Sequence, residues 1–596
     1  MEGSRRRQAG LGAIAGVLAA GAALGVGQLV AGLTGANGSP VVAVGELQID
    51  FTPPWLKNFA INEFGSDDKL VLVCGILAVL AIFAAVIGVA ATRRMAYGMA
   101  GVAVFAVVGL GAAATRPTAN FPSLLPTLFA AAAAAVVLRI LIPLTGPAVT
   151  RGAPPARAAR HRRGQRGVPG VPEAPDLPGE PGALEAPDLP GAADLPGAGG
   201  MPGGAGRSGT AGRPGAVGRP GEADWTVPGT SAVEPAGRGP RQPERRSFLG
   251  AGAATVAVAA GAGLAGRVLA ERKSVTQARN NLHIPKPKQT VPALPNGVNL
   301  DVPGISPFIT SNNNFYRVDT AIVLPQVDPS SWSLRIHGMV NREITLSFDE
   351  LLKRPLLEDY VTLCCVSNPV EGPYIGNALW LGTKLGSLLR EAGIQAGADQ
   401  LLCTSVDGFT SGTPVQTVMD GRDALLAVAM NGQPLPVAHG FPVRMVVPGL
   451  YGYVSATKWV TDIEVTKFSQ AYAYWAQRGW SQQAPIKTES RIDVPNGSYQ
   501  LKPGRTAVAG VAWAQHKGID AVHVRIDQGP WNEATLAAVP GIDTWRQWVW
   551  YWDATKGNHL IECRATDKTG YTQTAVQEPP EPNGASGYPM IQVSVS

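Results

Sequence analysis

Two adjacent cysteines, Cys364 and Cys365, are the residues of this chain best suited to hold a metal or to react. They lie in the run Thr362–Asn368, at the end of a predicted strand whose side chains alternate between two faces. The two thiols therefore point to opposite sides, and at most one of them can enter a given site. A thiolate is a metal ligand, but a free cysteine is more often a small buried hydrophobic residue. Spacing alone favours burial for both.

The remaining cysteines, Cys74, Cys403 and Cys563, lie in an apolar run and in two predicted strands. The chain has five cysteines in 596 residues and no repeated Cys-x-x-Cys spacing. A disulfide scaffold and a zinc or iron–sulfur site are therefore not expected. The formal net charge is +6, with arginines clustered beside apolar runs rather than among aromatic side chains. This distribution predicts no nucleic-acid partner.

A second group of polar residues lies between Met430 and Trp459. It includes His439, Arg444, Ser455 and Lys458. These side chains supply hydrogen-bonding groups for a polar ligand and cations of the kind that an anionic group needs. Each has an ordinary structural interpretation when it is considered alone: a hydrogen-bonded histidine or a solvated charge. The same holds for the asparagine run that begins at Asn312, which alone would indicate a surface turn.

Taken together, the segments from about residue 300 to 596 resemble the sulfite oxidase family. In that family a cysteine followed by a small residue and then Asn binds molybdenum, and Cys365 matches that cysteine. The resemblance implies molybdenum held by molybdopterin and Cys365, and an anion-binding role for Arg317. It further implies cofactor contacts from Asn312, Phe315, Tyr316, His439, Arg444, Ser455 and Lys458. The expected reaction is two-electron oxygen-atom transfer on a small substrate.

One departure from the family concerns the residues after Asn368. Pro369, Val370 and Glu371 stand where sulfite oxidases have arginines that help to bind sulfite. A sulfoxide reductase or other oxide reductase on the same fold is therefore an alternative. A non-enzymatic membrane protein that uses the fold for binding is a second alternative, and it predicts no molybdenum.

The globular part is predicted to contain an α+β molybdopterin domain at residues 281–470 and an immunoglobulin-like β-sandwich at residues 471–596. The first mixes short β-like runs with helix-like runs. The second has alternating runs at the spacing of a sandwich. The family resemblance implies a homodimer through this C-terminal domain. The predicted strands are Trp332–Ile336, Tyr360–Cys365, Leu401–Ser405, Val443–Val447, Thr506–Ala514, Ala521–Asp527, Trp545–Trp552, His559–Ala565 and Met590–Val595. The predicted helices are Phe348–Leu352 and Lys384–Ala392.

Residues 1–150 are predicted to form a membrane anchor. Four apolar runs approach the ~20 residues that cross a bilayer, and a shorter fifth run, Phe248–Leu264, is a marginal span. Arginines before the first run, between the second and third, and after the fourth fall on one side, which the positive-inside rule makes cytoplasmic. The globular part is then extracytoplasmic and the protein is multi-pass. The four runs are Leu11–Leu33, Leu70–Ala91, Met95–Ala114 and Leu124–Leu144.

Residues 151–244 are rich in Pro, Gly and Ala, and the tetrad Asp-Leu-Pro-Gly recurs in them. Such a segment cannot bury enough apolar surface to offset its ordering entropy. It is predicted to be a disordered cytoplasmic tether, with a docking tail for a partner as the alternative.

Residues 245–270 combine an arginine pair, Arg245 and Arg246, with the fifth apolar run. The pair resembles a twin-arginine export signal, although two arginines before a span also serve as a plain topology determinant. A cofactor inserted in the cytoplasm must cross the membrane inside a folded domain, which favours the export signal.

The chain lacks a Cys-x-x-Cys-His haem attachment, and all seven histidines lie outside the predicted spans. The helices therefore cannot hold a bis-histidine haem. Electrons are expected to pass to a separate partner, a cytochrome or a quinone.

Overall fold

The computed structural model describes residues 2–34, 39–53, 68–116, 119–146, 245–272, 274–496 and 500–596. The chain divides into two units, one made of Met1–Ala148 and Gln242–Ser596 and the other of Val149–Arg241. The predicted tether at 151–244 lies outside the described residues. The five predicted domain boundaries stay predictions.

Five helices are long and apolar enough to cross a membrane. They include the four predicted runs, and the fifth run is a helix of 28 residues, longer than its apolar stretch suggested. A 12-residue helix, α2, lies in the loop between the first two spans and was not predicted. The N-terminal helices are α1 Glu2–Thr34, α2 Pro40–Phe51, α3 Asp68–Arg93, α4 Met95–Ala114, α5 Phe121–Leu141, α6 Arg245–Arg272 and α7 Thr276–Asn280.

Small residues let α1 approach its neighbours closely. A Cβ added to Gly16 would lie 1.9 Å from the carbonyl oxygen of Ala84 on α3, and one added to Gly32 would lie 2.5 Å from the carbonyl oxygen of Gly266 on α6. Helices in lipid associate largely by such close backbone packing. The glycines of α1 therefore join α6 to the first helices of the bundle.

The chain passes from α6 into the globular part through a short turn. The amide of Ser274 donates to the carbonyl of Glu271 at 3.0 Å, and the next residue, Val275, is buried in a hydrophobic cluster with Phe315. The guanidinium of Arg279, on α7, donates to the carbonyl of Leu435 at 2.7 Å. The last long helix is thus attached directly to the core of the globular part.

Residues 281–470 contain one mixed and one antiparallel sheet with short helices, which confirms the α+β prediction. One sheet has the order β2-β1-β10-β5-β6, and the other has the order β3-β4-β7-β8, with β9 paired to β7. The strands are β1 Ser333–Gly338, β2 Ile344–Ser347, β3 Leu356–Cys364, β4 Ile375–Lys384, β5 Gln400–Ser405, β6 Thr410–Pro414, β7 Leu425–Met430, β8 Gln433–Pro434, β9 Arg444–Val446 and β10 Val460–Thr466. The helices are α8 Phe348–Leu352, α9 Leu385–Ala392, α10 Val415–Met419 and α11 Gly452–Ser455.

The C-terminal residues form two further sheets, with orders β11-β13-β17-β16 and β12-β19-β18-β14-β15. Side chains from both sheets share one hydrophobic cluster, as in a β-sandwich, and the immunoglobulin-like character of this part stays a prediction. Trp513, Trp545 and Trp548 are buried. The strands are β11 Glu489–Val494, β12 Gln500–Leu501, β13 Gly504–Trp513, β14 Ile519–Ile526, β15 Asn532–Glu533, β16 Thr535–Leu536, β17 Arg546–Ala554, β18 Gly557–Asp567 and β19 Met590–Val595.

Candidate active site

The end of strand β3 separates the two adjacent cysteines. Cys364, the last residue of β3, pairs with Ile375 of β4 and is buried in the main hydrophobic core. Cys365 is half-buried, and its Sγ lies 2.9 Å from the Oγ of Ser367. Burial raises the pKa of the Cys365 thiol, while the hydrogen bond with Ser367 and the charge of Lys458 oppose that rise. In the described globular part, the other three cysteines are buried, so Cys365 is the thiol that a ligand can reach.

Asn368 shapes the loop that carries Cys365. Its main-chain amide donates to the Cys365 carbonyl at 3.1 Å, and its side-chain oxygen accepts from the amide of Tyr374 at 2.7 Å. The side-chain Nδ2 is buried without a hydrogen-bond partner among the described residues. A buried donor of this kind is costly unless a bound group satisfies it.

Phe315 and Tyr316 form an aromatic wall beside the cysteine loop. Their rings stack with centroids 5.3 Å apart, and the Phe315 ring meets the edges of Trp380 and His439. Gly376 makes room for this wall, because a Cβ there would lie 2.9 Å from the Phe315 ring. Tyr316 is partly buried, and removal of its phenol from water raises the pKa of that group well above the usual range, so the phenol keeps its proton.

An asparagine pair joins the early turn to the β7–β8 hairpin. Asn431 donates from Nδ2 to the Asn312 side-chain oxygen at 2.8 Å and to the Thr310 carbonyl at 2.9 Å. Asn431 and Gly432 both have positive φ, 51° and 75°, as a two-residue hairpin turn requires. Asn431 was not predicted as a site residue, although an Asn-Gly pair is typical of such a turn.

Three cations lie in this region: Arg317, Arg444 and Lys458, called here the site cations. Arg444 is buried, lies over the Trp380 ring at 4.9 Å, and donates to the carbonyls of His439 and Ala456. Burial lowers its pKa to about 10. Lys458 donates to the Asp319 carboxylate at 2.8 Å, and Arg317 pairs with the same carboxylate at 3.2 Å. Asp319 was not predicted as a site residue.

Ser455 is buried at the end of α11, and its hydroxyl lies within hydrogen-bond distance of the carbonyls of Leu450 and Tyr451. The hydroxyl proton is thus used within its own segment. A cofactor contact from this residue stays a prediction, and it would have to use the oxygen as an acceptor.

Glu371, in the segment that departs from the family pattern, points to the sandwich. Its carboxylate accepts from the amide of Ile492 on β11 at 3.2 Å, and its backbone has a φ of 67°. Burial raises its pKa to about 8. The segment after Asn368 therefore contacts strand β11 of the C-terminal sheets.

His439 is buried, with Nε2 3.1 Å from the main-chain oxygen of Asn312. Burial and the charge of Arg444 lower its pKa from 6.5 to about 4. The ring is therefore neutral near pH 7, and Nε2 is the donor to Asn312.

We expect His439→Gln to flatten the pH dependence of stability. Between pH 6.5 and about 4 the unfolded histidine binds a proton and the folded one does not. Its contribution is therefore complete above pH 6.5 and is lost as the pH falls, by up to about 3 kcal/mol. Melting temperatures of wild type and variant at pH 7.5 and pH 4.5 measure this difference. Equal losses of melting temperature on acidification would contradict the assignment.

Comparison with known proteins shows which family the chain belongs to. Residues 321–475 match the family model described as "Oxidoreductase molybdopterin binding domain". The sulfite oxidase of Gallus gallus is 30% identical over 315 residues, which cover 44% of this chain and 67% of that protein. The chain belongs to the sulfite oxidase family. It is a molybdopterin-dependent oxidoreductase, and the family implies a molybdenum cofactor.

Two further proteins are similar to parts of this chain. An uncharacterized oxidoreductase of Bacillus subtilis, YuiH, is 31% identical over 153 residues, covering 26% of this chain and 74% of the relative. The sulfane dehydrogenase SoxCD from Paracoccus pantotrophus is 23% identical with a TM-score of 0.43, over 49% of this chain and 82% of that structure. The chain spans between 49% and 67% of the vertebrate sulfite oxidases that it matches first.

The donor set fits the molybdenum cofactor of this family. Cys365 offers one accessible thiol, and Asn368 offers a buried amide donor without a partner among the described residues. Arg444 and Lys458 are cations of the kind that an anionic phosphate requires. Within the described residues, the predicted cofactor contacts Asn312, Phe315, Tyr316, His439, Arg444 and Lys458 are brought into one region by the contacts given above.

Proposed function

We propose that this protein catalyses two-electron oxygen-atom transfer on a small substrate outside the cytoplasmic membrane, in the manner of a sulfite oxidase. One observation carries the proposal. Cys365 is a half-buried thiol at the end of β3 that is hydrogen-bonded to Ser367, whereas its neighbour Cys364 is buried in the hydrophobic core. A thiolate in this position is a suitable single protein ligand. The family relationship favours an enzyme over the alternative of a non-enzymatic binding protein.

When it is bound, the cofactor supplies the oxygen-atom transfer chemistry. Cys365 would ligate the metal, while Arg444 and Lys458 would hold the phosphate. Neutral His439 and the side chain of Asn312 would hold the pterin edge. In the oxidative direction, substrate and water give the oxygenated product, two protons and two electrons, and the electrons leave to the partner.

The protonated phenol of Tyr316 supplies a hydrogen-bond donor at this site. The stacked ring of Phe315 excludes water from one side of the same region. The chain's own residues thus bind, orient and desolvate, and the redox step belongs to the cofactor.

Reduction of a sulfoxide or another oxide is a second candidate direction. The segment Pro369–Glu371 has no cationic side chain, and the Glu371 carboxylate accepts a hydrogen bond from the Ile492 amide on β11. An oxyanion such as sulfite would therefore lack the arginines that the family uses after its ligand segment.

The direction can be measured with dyes. Purified, cofactor-loaded protein should bleach a reduced viologen dye in the presence of a sulfoxide, or reduce an oxidised dye in the presence of sulfite. We expect the sulfoxide reaction to be the faster of the two, because of the missing cations. Failure of both reactions with a panel of sulfoxides, N-oxides and sulfite would contradict the proposed function.

We further propose the arrangement of the whole chain. Residues 1–150 anchor it in the cytoplasmic membrane, and α6 passes the chain outward behind a twin-arginine signal. The sandwich is immunoglobulin-like and serves as a homodimer contact. A cytochrome or quinone exchanges electrons with the site. The five apolar helices support membrane association.

A further inference from the structure

Asp319 is a nearly buried carboxylate shared by two of the site cations. Its side chain is 3% exposed, and its Oδ2 lies 2.8 Å from the Lys458 Nζ and 3.2 Å from the Arg317 Nε. Lys458 is 11% exposed, whereas Arg317 is 42% exposed. Arg317 is therefore the site cation that an incoming solute meets most readily.

The ion pair with Asp319 weakens the attraction of Arg317 for an oxyanion. A free guanidinium attracts an oxyanion strongly in a bidentate geometry. A carboxylate about 3 Å away offsets most of that attraction, because opposite charges at this distance nearly cancel for a third charge further off. An oxyanion that approaches Arg317 also meets the negative charge of Asp319.

The loop that carries Asp319 is fixed at its far end. Ala321 is buried, and the tip of Ile322 lies against α2, since a Cβ added to Gly45 would come within 2.8 Å of it. The ion pairs to Arg317 and Lys458 hold the near end. The loop is therefore fixed at both ends, and the Asp319 carboxylate stays between the two cations.

We propose that Asp319 is a specificity-determining residue that neutralises Arg317 and makes the site select uncharged substrates over oxyanions. The inference rests on the proposed function and names the substrate class of that site. Sulfoxides and N-oxides are neutral overall and would be accepted, whereas sulfite and sulfate would be disfavoured.

The test measures anion binding rather than turnover. Sulfate, a redox-inert dianion, is titrated calorimetrically into cofactor-loaded, detergent-purified full chain at fixed ionic strength. We expect Asp319→Asn, which keeps the shape and one oxygen acceptor, to bind sulfate about tenfold more tightly than wild type. Asp301→Asn removes an equal charge at an exposed position and should leave the sulfate affinity at the wild-type value.

A double variant tests the route of the effect. Adding Arg317→Gln to Asp319→Asn should return the sulfate affinity to the wild-type value, because the exposed guanidinium is the group that Asp319 neutralises. A gain that persists in the double variant would overturn the proposal, as would equal affinities of wild type and Asp319→Asn.

A single change covers the case in which Asp319→Asn does not fold. Arg317→Gln alone should then lower the sulfate affinity less than about threefold, because the guanidinium is already neutralised. A larger loss would show that Arg317 binds anions in the wild type and would contradict the proposal. Sulfate binding needs no turnover. The titration can therefore support or contradict the role of Asp319 even when the dye assays detect no activity.

Discussion

Cys365→Ser is expected to abolish turnover. The substitution removes the protein's thiolate from the metal, whereas the predicted pterin and phosphate contacts at His439, Arg444 and Lys458 stay in place. Loss of an outer-shell partner of a metal ligand already costs about 10–100-fold in affinity or activity, so loss of the ligand itself should exceed about 100-fold. The measurement is dye-coupled turnover together with the molybdenum and pterin content of the purified protein. We expect pterin to be largely retained.

Cys364→Ser is the matched control, because it makes the same chemical change one residue earlier. Cys364 is buried in the main core, so the new hydroxyl should lower stability by about 1–3 kcal/mol while turnover persists. Turnover lost in Cys364→Ser and kept in Cys365→Ser would mean that the ligand has been assigned to the wrong cysteine.

Replacing Arg245 and Arg246 together by lysine is expected to strand the catalytic domain in the cytoplasm. The pair lies at the start of α6, and lysines keep the positive charge that sets membrane topology. The change therefore removes a recognised arginine pair without removing the charge bias. Protease added to intact cells should cut the wild-type domain, and should cut the variant domain only after lysis. The first four spans should still insert.

Arg93 and Arg94 provide a control pair. Arg93 is the last residue of α3 and Arg94 precedes α4, and their replacement by lysine is equally conservative in charge. We expect that variant to export its domain normally. If the Arg245–Arg246 variant also delivers a molybdenum-loaded domain to the outside, the pair is a topology determinant and the twin-arginine proposal fails.

Local pattern predicted the strands and the separation of the two cysteines well. The period of two predicted that the two thiols point to opposite sides, whereas the choice of Cys365 as the ligand came from the family resemblance; in the structure Cys364 is in the core and Cys365 is half-buried. The strand predicted as Met590–Val595 and the helix predicted as Phe348–Leu352 have those bounds in the structure. These elements are specified by side chains within a few residues of one another, which is the range that a sequence pattern covers.

The missed features depend on partners distant in the chain. Asp319 belongs to the site through Lys458, which is 139 residues away. Glu371 turns from the site because Ile492, 121 residues away, offers it an amide. Helix α2 was missed because its 12 residues are shorter than a span and lie in a segment interpreted as a loop. Local periodicity does not predict contacts such as those of Asp319 and Glu371, because their partners are more than 100 residues away.

The turn between α6 and Val275 also sets how far the catalytic domain can travel. Three residues of extended chain reach about 10 Å, and here Val275 is already buried in the cluster that contains Phe315. Under the proposed topology the redox centre therefore stays at a fixed height above the lipid. A redox partner confined to the membrane would then find it by lateral diffusion in two dimensions, whereas a soluble carrier would have to descend to the bilayer surface to exchange electrons.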